Sequence, residues 1–384
     1  MKNLLTGRFF HLYRMMDDGY WMLDARYWTL DAGYWMLEYW MLVTSIRYRH
    51  DSSNYFHCIL HIKPTAMKAV RLHEFGGAEN LKIEETTQPS FTDSQVFVKV
   101  YAASVNQFEI KVASGNMQKM VPVELPFIPG SDFAGVIEQV GKNVTGFKVG
   151  DEVYGQSANF GAYAEYLVAE SKSIALKPKS LDWVQAASVP VVALTAYQGL
   201  FLHGHLKAGQ TVLIHGAAGA VGAYAVQLAK NGGAHVMATA SGVDVDFLHR
   251  MGAEKVFAYE TDKFEDQLQG VDLVLDLIGG ETQKRSYAVM KEGGKLVATS
   301  QPPGQEEAQQ HGVSAMMMNM QANTEDLNEL AVLIDEGILH IDVAKVYPME
   351  EVAEAWKAIA GNISKDGTKG KKIGHGKAVL KIAD

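Results

Sequence analysis

A run of small residues between an apolar strand and a helix is the stretch best suited to bind a charged ligand. It reads HGAAGAVG at residues 215–222, and Ala217, Gly219 and Gly222 occupy the three glycine positions of the dinucleotide fingerprint. Small side chains let the backbone approach a pyrophosphate, and the N–H groups at the helix start face its charge. The spacing therefore predicts a nicotinamide dinucleotide site lined by Ala217, Ala218, Gly219, Ala220, Val221 and Gly222.

The end of the following strand bears on which dinucleotide binds, because a carboxylate there accepts the ribose hydroxyl and repels a 2′-phosphate. Residues 239–242 read TASG and contain no carboxylate, which favours NADPH. Two aspartates follow closely and no Arg or Lys comes at once, so NADH stays the alternative. Thr239, Ser241 and Tyr259 are predicted to contact the adenosine end, although Ser241 as a turn residue and Tyr259 as a surface residue are alternatives.

The elements that position this loop alternate between strands and helices from Gln210 onward, which predicts an α/β domain with a doubly wound parallel sheet at residues 191–329. Residues 67–190 are short strand patterns broken by Gly and Pro, typical of a mostly antiparallel β domain. Two helices and two strand-like segments in about residues 330–384 are expected to complete that β domain.

The first 66 residues differ in style from the rest of the chain. Tyr20, Tyr27 and Tyr34 recur every seven positions, each followed by Trp. The repeat is compatible with an amphipathic helix. Charged residues interrupt it, however, and we interpret residues 1–66 as an extension outside the catalytic fold.

Composition limits the classes of partner. A chain of 384 residues with 47% apolar content can fill two cores, and its formal charge of −9 argues against nucleic acid as the main partner. The single cysteine, Cys58, excludes a disulfide framework within one chain and a zinc site built from several cysteines. No apolar run is long enough to span a membrane, so we predict no membrane partner and a cytoplasmic location.

Taken together, the motifs resemble the zinc-independent quinone oxidoreductases, the zeta-crystallin-like branch of the medium-chain dehydrogenases and reductases. Eight segments in family order carry the resemblance, which covers Met67 to the C-terminus: MKAVRLHEFGG, AASVNQFEIKVASG, PGSDFAGVIEQVG, FKVGDEVYG, GAYAEYLVA, AASVPVVALTAYQGL, GAAGAVGAYAVQLAK and DLVLDLIGG. The resemblance implies a GroES-like β domain joined to a Rossmann domain, with a homodimer or homotetramer as the assembly.

The resemblance also bears on metal binding. Zinc-dependent relatives hold their catalytic metal with a cysteine, a histidine and a second cysteine, and motif alignment puts Asn106, Ser131 and Val191 at those places. An amide, a hydroxyl and an isopropyl group do not supply a tetrahedral N/S site. We therefore expect no zinc.

Without a metal to stabilise an alkoxide, hydride transfer favours acceptors that delocalise charge themselves, such as quinones and α,β-unsaturated carbonyls. Asn106 is the leading candidate for an amide donor near the nicotinamide or the substrate oxygen, with a turn-capping role as the alternative. Lys111 and Tyr163 are further catalytic candidates, although a surface lysine and a packed tyrosine are common fates. Thr195 resembles the cofactor contact of the family at the helix joining the domains.

The sequence thus predicts a zinc-independent, NADPH-dependent reductase of a quinone or enone. Two alternatives stay open: a related NAD(P)H reductase of another activated acceptor, and a catalytically weak scaffold that binds the cofactor.

Overall fold

The computed structural model describes residues 12–15, 21–23, 65–360 and 374–383, and the chain divides into two compact units, Met1–Ala66 and Met67–Asp384. In the first unit, strands β1 (Leu12–Met15) and β2 (Trp21–Leu23) pair in antiparallel fashion. The amphipathic helix is wrong for Trp21–Leu23, the part of the seven-residue repeat that the structure describes, because these residues form a β-strand. The remaining repeat and Cys58 lie outside the described residues.

From Ala66 onward the described chain alternates between strands and helices. The strands are β3 (Ala66–Leu72), β4 (Leu81–Thr87), β5 (Gln95–Ser104), β6 (Asp132–Val140), β7 (Glu152–Gln156), β8 (Tyr166–Glu170), β9 (Ile174–Leu176), β10 (Thr211–His215), β11 (His235–Ala240), β12 (Lys255–Ala258), β13 (Val271–Asp276), β14 (Met290–Ala298), β15 (Ser314–Met317), β16 (Val343–Pro348) and β17 (Lys377–Lys381). The helices are α1 (Gln107–Ala113), α2 (Trp183–Ala187), α3 (Pro190–Tyr197), α4 (Ala220–Asn231), α5 (Val245–Met251), α6 (Gly280–Ser286), α7 (Gln305–Gln310), α8 (Thr324–Asp335) and α9 (Val352–Ala360).

Strands β10 to β15 form a parallel sheet in the order β12-β11-β10-β13-β14-β15. Val212 and Ile214 of β10 belong to the apolar core on one face, and Leu213 belongs to a second core with Phe257. Burial on both faces explains why these strands are almost continuously apolar. The predicted α/β class with a doubly wound parallel sheet is confirmed.

The strand order reverses beside β10, because the chain runs outward through β11 and β12 and then crosses back to β13 on the other side of β10. Helix α4 begins five residues after His215, the last residue of β10. Ligands of open α/β sheets bind at the carboxyl ends of strands where the order reverses. The fold therefore puts residues 216–222 at the position where a dinucleotide site is expected.

The second large sheet is mostly antiparallel, in the order β16-β17-β5-β6-β7-β9, with β8 also pairing with β5. Its C-terminal strand β17 lies between β16 and β5, so segments far apart in the chain meet in one ladder. Phe133, Tyr163 and Trp356 are fully buried in its core. Among the described residues, no helix has the length and apolar character needed to cross a bilayer.

Candidate functional site

The glycine loop, residues 216–222, joins β10 to α4. Gly216 has a φ of +69°, which favours glycine, and Gly219 caps α4 with extended backbone angles. A Cβ on Gly222 would lie 2.5 Å from the Cα of Ala217, so only glycine lets the helix start pack this closely on the loop. The first-turn N–H groups of α4 lack intrahelical acceptors. The loop residues therefore fit a pyrophosphate, which would accept hydrogen bonds from these groups.

A buried histidine, His215, directly precedes the glycine loop. The Nε2 atom of His215 lies 2.8 Å from the Ser286 hydroxyl, whose hydrogen goes to the Thr282 carbonyl oxygen at 2.7 Å. His215 Nε2–H therefore donates to Ser286, and Nδ1 accepts from the Thr239 hydroxyl at 2.9 Å. Burial lowers the pKa of His215 to about 4, so the ring is neutral near pH 7.

The other predicted adenosine contacts lie at the same edge of the sheet. The hydroxyl of Ser241 donates to Glu260 Oε1 at 2.7 Å, and the ring of Tyr259 is 47% exposed. The backbone N–H of Tyr259 donates to the Ala240 carbonyl oxygen, which ties the end of β12 to the end of β11. Thr239 is buried, with its hydroxyl committed to His215. Contact of these residues with a cofactor remains a prediction.

The second candidate region is a buried polar cluster in the β domain. Two carboxyl groups, an ammonium group, an amide, a serine and a tyrosine meet inside a domain whose core is mostly apolar, and all six residues are buried: Asn106, Glu109, Ser131, Asp132, Tyr163 and Lys377. Isolated charges are costly to bury, so their pairing is the property that needs explanation. The cluster draws on α1, β6, β17 and three connecting segments.

Asn106 is the hub of this buried polar cluster. Its side-chain oxygen Oδ1 accepts a hydrogen bond from the Lys377 ammonium group. An ammonium group only donates, so the amide orientation is set, and Nδ2 donates to Asp132 Oδ2 at 3.0 Å and to Ser131 Oγ at 3.4 Å. All the side-chain polar atoms of Asn106 therefore have partners within the chain. Its predicted contact with nicotinamide or substrate remains a prediction.

Asp132 connects the β domain to helix α3. Its Oδ2 accepts from Ser104 Oγ at 2.9 Å and lies 4.0 Å from Lys377 Nζ, whereas Oδ1 accepts from the Val191 backbone N–H at 3.0 Å. Pro190 begins α3, so Val191 carries one of the N–H groups that lack an intrahelical acceptor. Asp132 thus caps the helix on which Thr195 lies.

Glu109 joins Asn106 and Tyr163, two of the three catalytic candidates. Its Oε1 accepts from the Asn106 backbone N–H at 2.9 Å and from the Tyr163 hydroxyl, while Oε2 accepts from Ser131 Oγ at 3.3 Å. Burial nevertheless raises the pKa of Glu109 to about 7. Burial also raises the pKa of Tyr163 well above its ordinary value, so the phenol stays protonated as a donor.

The other two sequence candidates lie outside this hydrogen-bonded group. Lys111 is exposed near the end of α1, and positions two apart on a helix point to different sides, so it faces away from buried Glu109. Thr195 is half-buried on α3, and its hydroxyl donates to the Val191 carbonyl oxygen one turn earlier, at 2.6 Å. Their predicted roles are untested by this arrangement.

The residues at the metal positions of zinc-dependent relatives do not fit a zinc ion. Asn106 and Ser131 hydrogen-bond each other, Val191 offers only an isopropyl group, and the Lys377 ammonium group would repel a cation next to Asn106. Within the described ranges, no group of three or more His, Cys, Asp or Glu side chains is arranged to hold a metal.

Sequence reasoning missed Glu109 and Lys377. Glu109 carries a local signal, because an acid three residues after Asn106 at a helix start is the spacing of a capping box. Lys377 carries no such signal, since its partner Asn106 lies 271 residues away and an apolar strand with lysines at both ends is typical of a surface-edge strand.

Known proteins resemble this chain in both domains. Residues 92–179 match the alcohol dehydrogenase GroES-like domain, and residues 251–371 match the zinc-binding dehydrogenase family. The predicted GroES-like domain is thereby confirmed. The quinone oxidoreductase of Pongo abelii is 32% identical over 325 residues, which cover 80% of this chain and 97% of the relative.

Two further comparisons agree. The chloroplastic NADPH-dependent alkenal/one oxidoreductase of Arabidopsis thaliana is 34% identical over 78% of each chain. The structure of the quinone oxidoreductase from Coxiella burnetii superposes with a TM-score of 0.74 at 33% identity, covering 83% of this chain and all of that one.

Proposed function

The chain belongs to the quinone oxidoreductase, zeta-crystallin-like branch of the medium-chain dehydrogenase/reductase superfamily, and on that basis we propose that it is a zinc-independent reductase of quinones or α,β-unsaturated carbonyls. NADPH is the cofactor that we propose, with NADH as the alternative. The observation that carries the proposal is the glycine loop at the switch point of the parallel sheet. Only a glycine at position 222 lets the start of α4 pack closely on this loop.

When bound, the dinucleotide supplies a hydride, and the residues of the chain hold and orient it. The glycine loop would bind the pyrophosphate through backbone N–H groups, and the Thr239 carbonyl oxygen, which accepts from the Ala217 N–H, holds the loop against β11. Asn106 and Ser131 lie at the positions that hold the metal in zinc-dependent relatives. We propose that this part of the molecule accepts an electron-poor substrate, because such an acceptor delocalises the incoming charge itself. A hydrogen bond from the Asn106 amide or the Ser131 hydroxyl to the developing oxyanion would replace their present bonds to Asp132 and Glu109.

The relatives support a quinone or an enone as the hydride acceptor, because one is named a quinone oxidoreductase and another an NADPH-dependent alkenal/one oxidoreductase. A flat quinone and a linear enone share the property that the incoming negative charge is delocalised onto oxygen. A homodimer or homotetramer remains a prediction of the family resemblance, and a cytoplasmic location remains a prediction from the lack of a membrane-spanning run in the sequence.

The test is the loss of NADPH absorbance when 1,2-naphthoquinone, 9,10-phenanthrenequinone or a series of linear enones is added to the purified chain. We expect consumption with at least one acceptor class and none with ethanol as hydride donor to NADP⁺. The Gly222→Ala variant, in which the glycine loop is obstructed, is the matched control and should be much slower at the same NADPH concentration.

A flat trace across all acceptors with NADPH still bound would favour a cofactor-binding scaffold instead. Absence of binding of either nicotinamide dinucleotide would contradict the proposal altogether.

A further inference from the structure

A carboxylate occupies the turn after β11, where the sequence shows none. The Ser241 hydroxyl donates to Glu260 Oε1 at 2.7 Å, and the Gly242 backbone N–H donates to Glu260 Oε2 at 3.1 Å. Glu260 comes two residues after Ala258, the last residue of the neighbouring strand β12, and Ala258 pairs with Ala240 of β11. The absence of acids from residues 239–242 is therefore offset in space by a residue that follows the neighbouring strand β12.

This turn lies beside the glycine loop. Thr239 pairs with His215 across β11 and β10, and the Ala217 backbone N–H donates to the Thr239 carbonyl oxygen at 3.2 Å. In parallel sheets that bind dinucleotides, the pyrophosphate lies at the first helix and the adenosine ribose extends to the end of the adjacent strand. Glu260 is thus at the place that the 2′-position of the ribose would reach.

The charge around the turn is the second observation. The Ser241 hydroxyl holds the pKa of Glu260 below its ordinary value, so the side chain is ionised near pH 7. Buried Asp244 belongs to the same turn, and its Oδ1 lies 2.8 Å from His375 Nε2, whose ring stacks on Phe247 at 3.6 Å. A 2′-phosphate entering here meets the carboxylate of Glu260 and finds both turn donors, the Ser241 hydroxyl and the Gly242 N–H, already engaged.

We propose that Glu260 is a cofactor-selectivity residue that weakens binding of 2′-phosphorylated dinucleotides and accepts a hydrogen bond from the free 2′-hydroxyl of NADH. NADH is then a competent cofactor alongside NADPH. This inference rests on the proposed function and narrows it, because it concerns how strongly the same site distinguishes the two dinucleotides. A ribose 2′-hydroxyl can donate a hydrogen bond to the Glu260 carboxylate. A 2′-phosphate near pH 7 carries negative charge, so it is repelled by Glu260 and fits only if that side chain moves away.

The experiment compares dissociation constants of NADPH and NADH for the full chain and for Glu260→Gln, measured by the fluorescence of the bound nicotinamide. Glutamine keeps the size and an acceptor oxygen but removes the charge. We expect Glu260→Gln to bind NADPH about tenfold more tightly, because removal of a nearby like charge is worth about that much at a solvated site. Binding of NADH should stay within about threefold or weaken.

Adenosine 2′,5′-bisphosphate and 5′-AMP, used as competitors of NADH, isolate the 2′-phosphate from the nicotinamide half. The first should gain about tenfold in the variant and the second should not. Glu254→Gln is the control, since Glu254 is an exposed acid just before β12, at the opposite end of that strand, and pairs with His235 at 3.0 Å. It should leave all four constants unchanged.

If Glu260→Gln leaves the ratio of the NADPH and NADH dissociation constants unchanged, the role of Glu260 is overturned and the proposed function stays intact. Failure of the wild-type chain to bind either dinucleotide would overturn both. Because Glu260 is exposed, an unchanged thermal midpoint is expected, and it verifies that the variant is folded.

Discussion

The glycine loop and the buried polar cluster are built by opposite means. The loop depends on side chains that are missing, so that the backbone of Gly219 and Gly222 comes close to its neighbours. The cluster depends on side chains that are present, with Asp132, Glu109 and Lys377 burying two carboxyl groups against one ammonium group. A backbone site is damaged by adding atoms, whereas a charged cluster is damaged by removing them.

The largest expected effect tests the cluster. Lys377→Met removes the ammonium group but keeps most of the volume, leaving Asp132 and Glu109 without a buried countercharge. We expect a loss of about 3–5 kcal/mol in the free energy of unfolding, the usual result when one partner of a buried ion pair is removed. Urea denaturation measures it.

Lys148→Met is the matched control, because the Lys148 side chain is 84% exposed beside Asp151 and should tolerate the same change. A Lys377→Met variant as stable as the wild type would mean that the cluster does not need its cation.

The pH dependence of stability separates the two regions by sign. His215, with a pKa lowered to about 4, contributes stability above its unfolded value near 6.5, and this is lost as the pH falls towards 4. Glu109, with a pKa raised to about 7, contributes stability below its unfolded value near 4.5, and this is lost as the pH rises towards 7. Each contributes up to about 1.4 kcal/mol per pH unit.

Between pH 4.5 and 6.5 the two contributions oppose each other in the wild type. Relative to the wild type, His215→Gln should therefore become more stable towards acid, and Glu109→Gln more stable towards neutral pH. Chemical denaturation across this range provides the measurement. Slopes of the same sign for both variants would show that at least one group is not held as the structure indicates.

A smaller effect tests the loop. Gly222→Ala introduces a Cβ 2.5 Å from Ala217 Cα and from the Gly216 carbonyl oxygen, so the start of α4 must shift. We expect the dissociation constant of the dinucleotide to rise about tenfold to a hundredfold, equal to about 1.4–2.7 kcal/mol. Fluorescence titration measures it.

Gly232→Ala, at the other end of α4, is the control, since its nearest contact is the edge of the Phe201 ring at 3.3 Å. An unaltered affinity in Gly222→Ala would mean that the close packing of helix and loop is not what shapes the site.

The smallest effect concerns a hydrogen bond within the cluster. Tyr163→Phe removes a donor to Glu109 and the acceptor of the Trp356 indole N–H. We expect a loss of about 1–2 kcal/mol in the free energy of unfolding, because buried polar groups lose a partner. Tyr197→Phe, whose phenol makes no hydrogen bond among the described residues, should be neutral. A larger loss in Tyr197→Phe than in Tyr163→Phe would contradict this account.

The sequence alone was sufficient for the loop. Its glycine spacing, the apolar strand before it and the helix after it are local, and the helix predicted to follow the loop is α4 at Ala220–Asn231. The α/β class follows from the same local alternation. By contrast, the role of Tyr163 could not be recognised from its neighbours in the chain, because its partners Glu109 and Trp356 lie 54 and 193 positions away.

What the sequence by itself determined is where strands, helices and missing side chains occur, because hydrophobic period and glycine spacing act over a few residues. The tertiary structure decided which polar side chains meet. Lys377 reaches Asn106 across the β17–β5 ladder, and Glu260 reaches Ser241 across β11 and β12. Such pairings depend on strand order and register, which bring together residues that no local pattern relates.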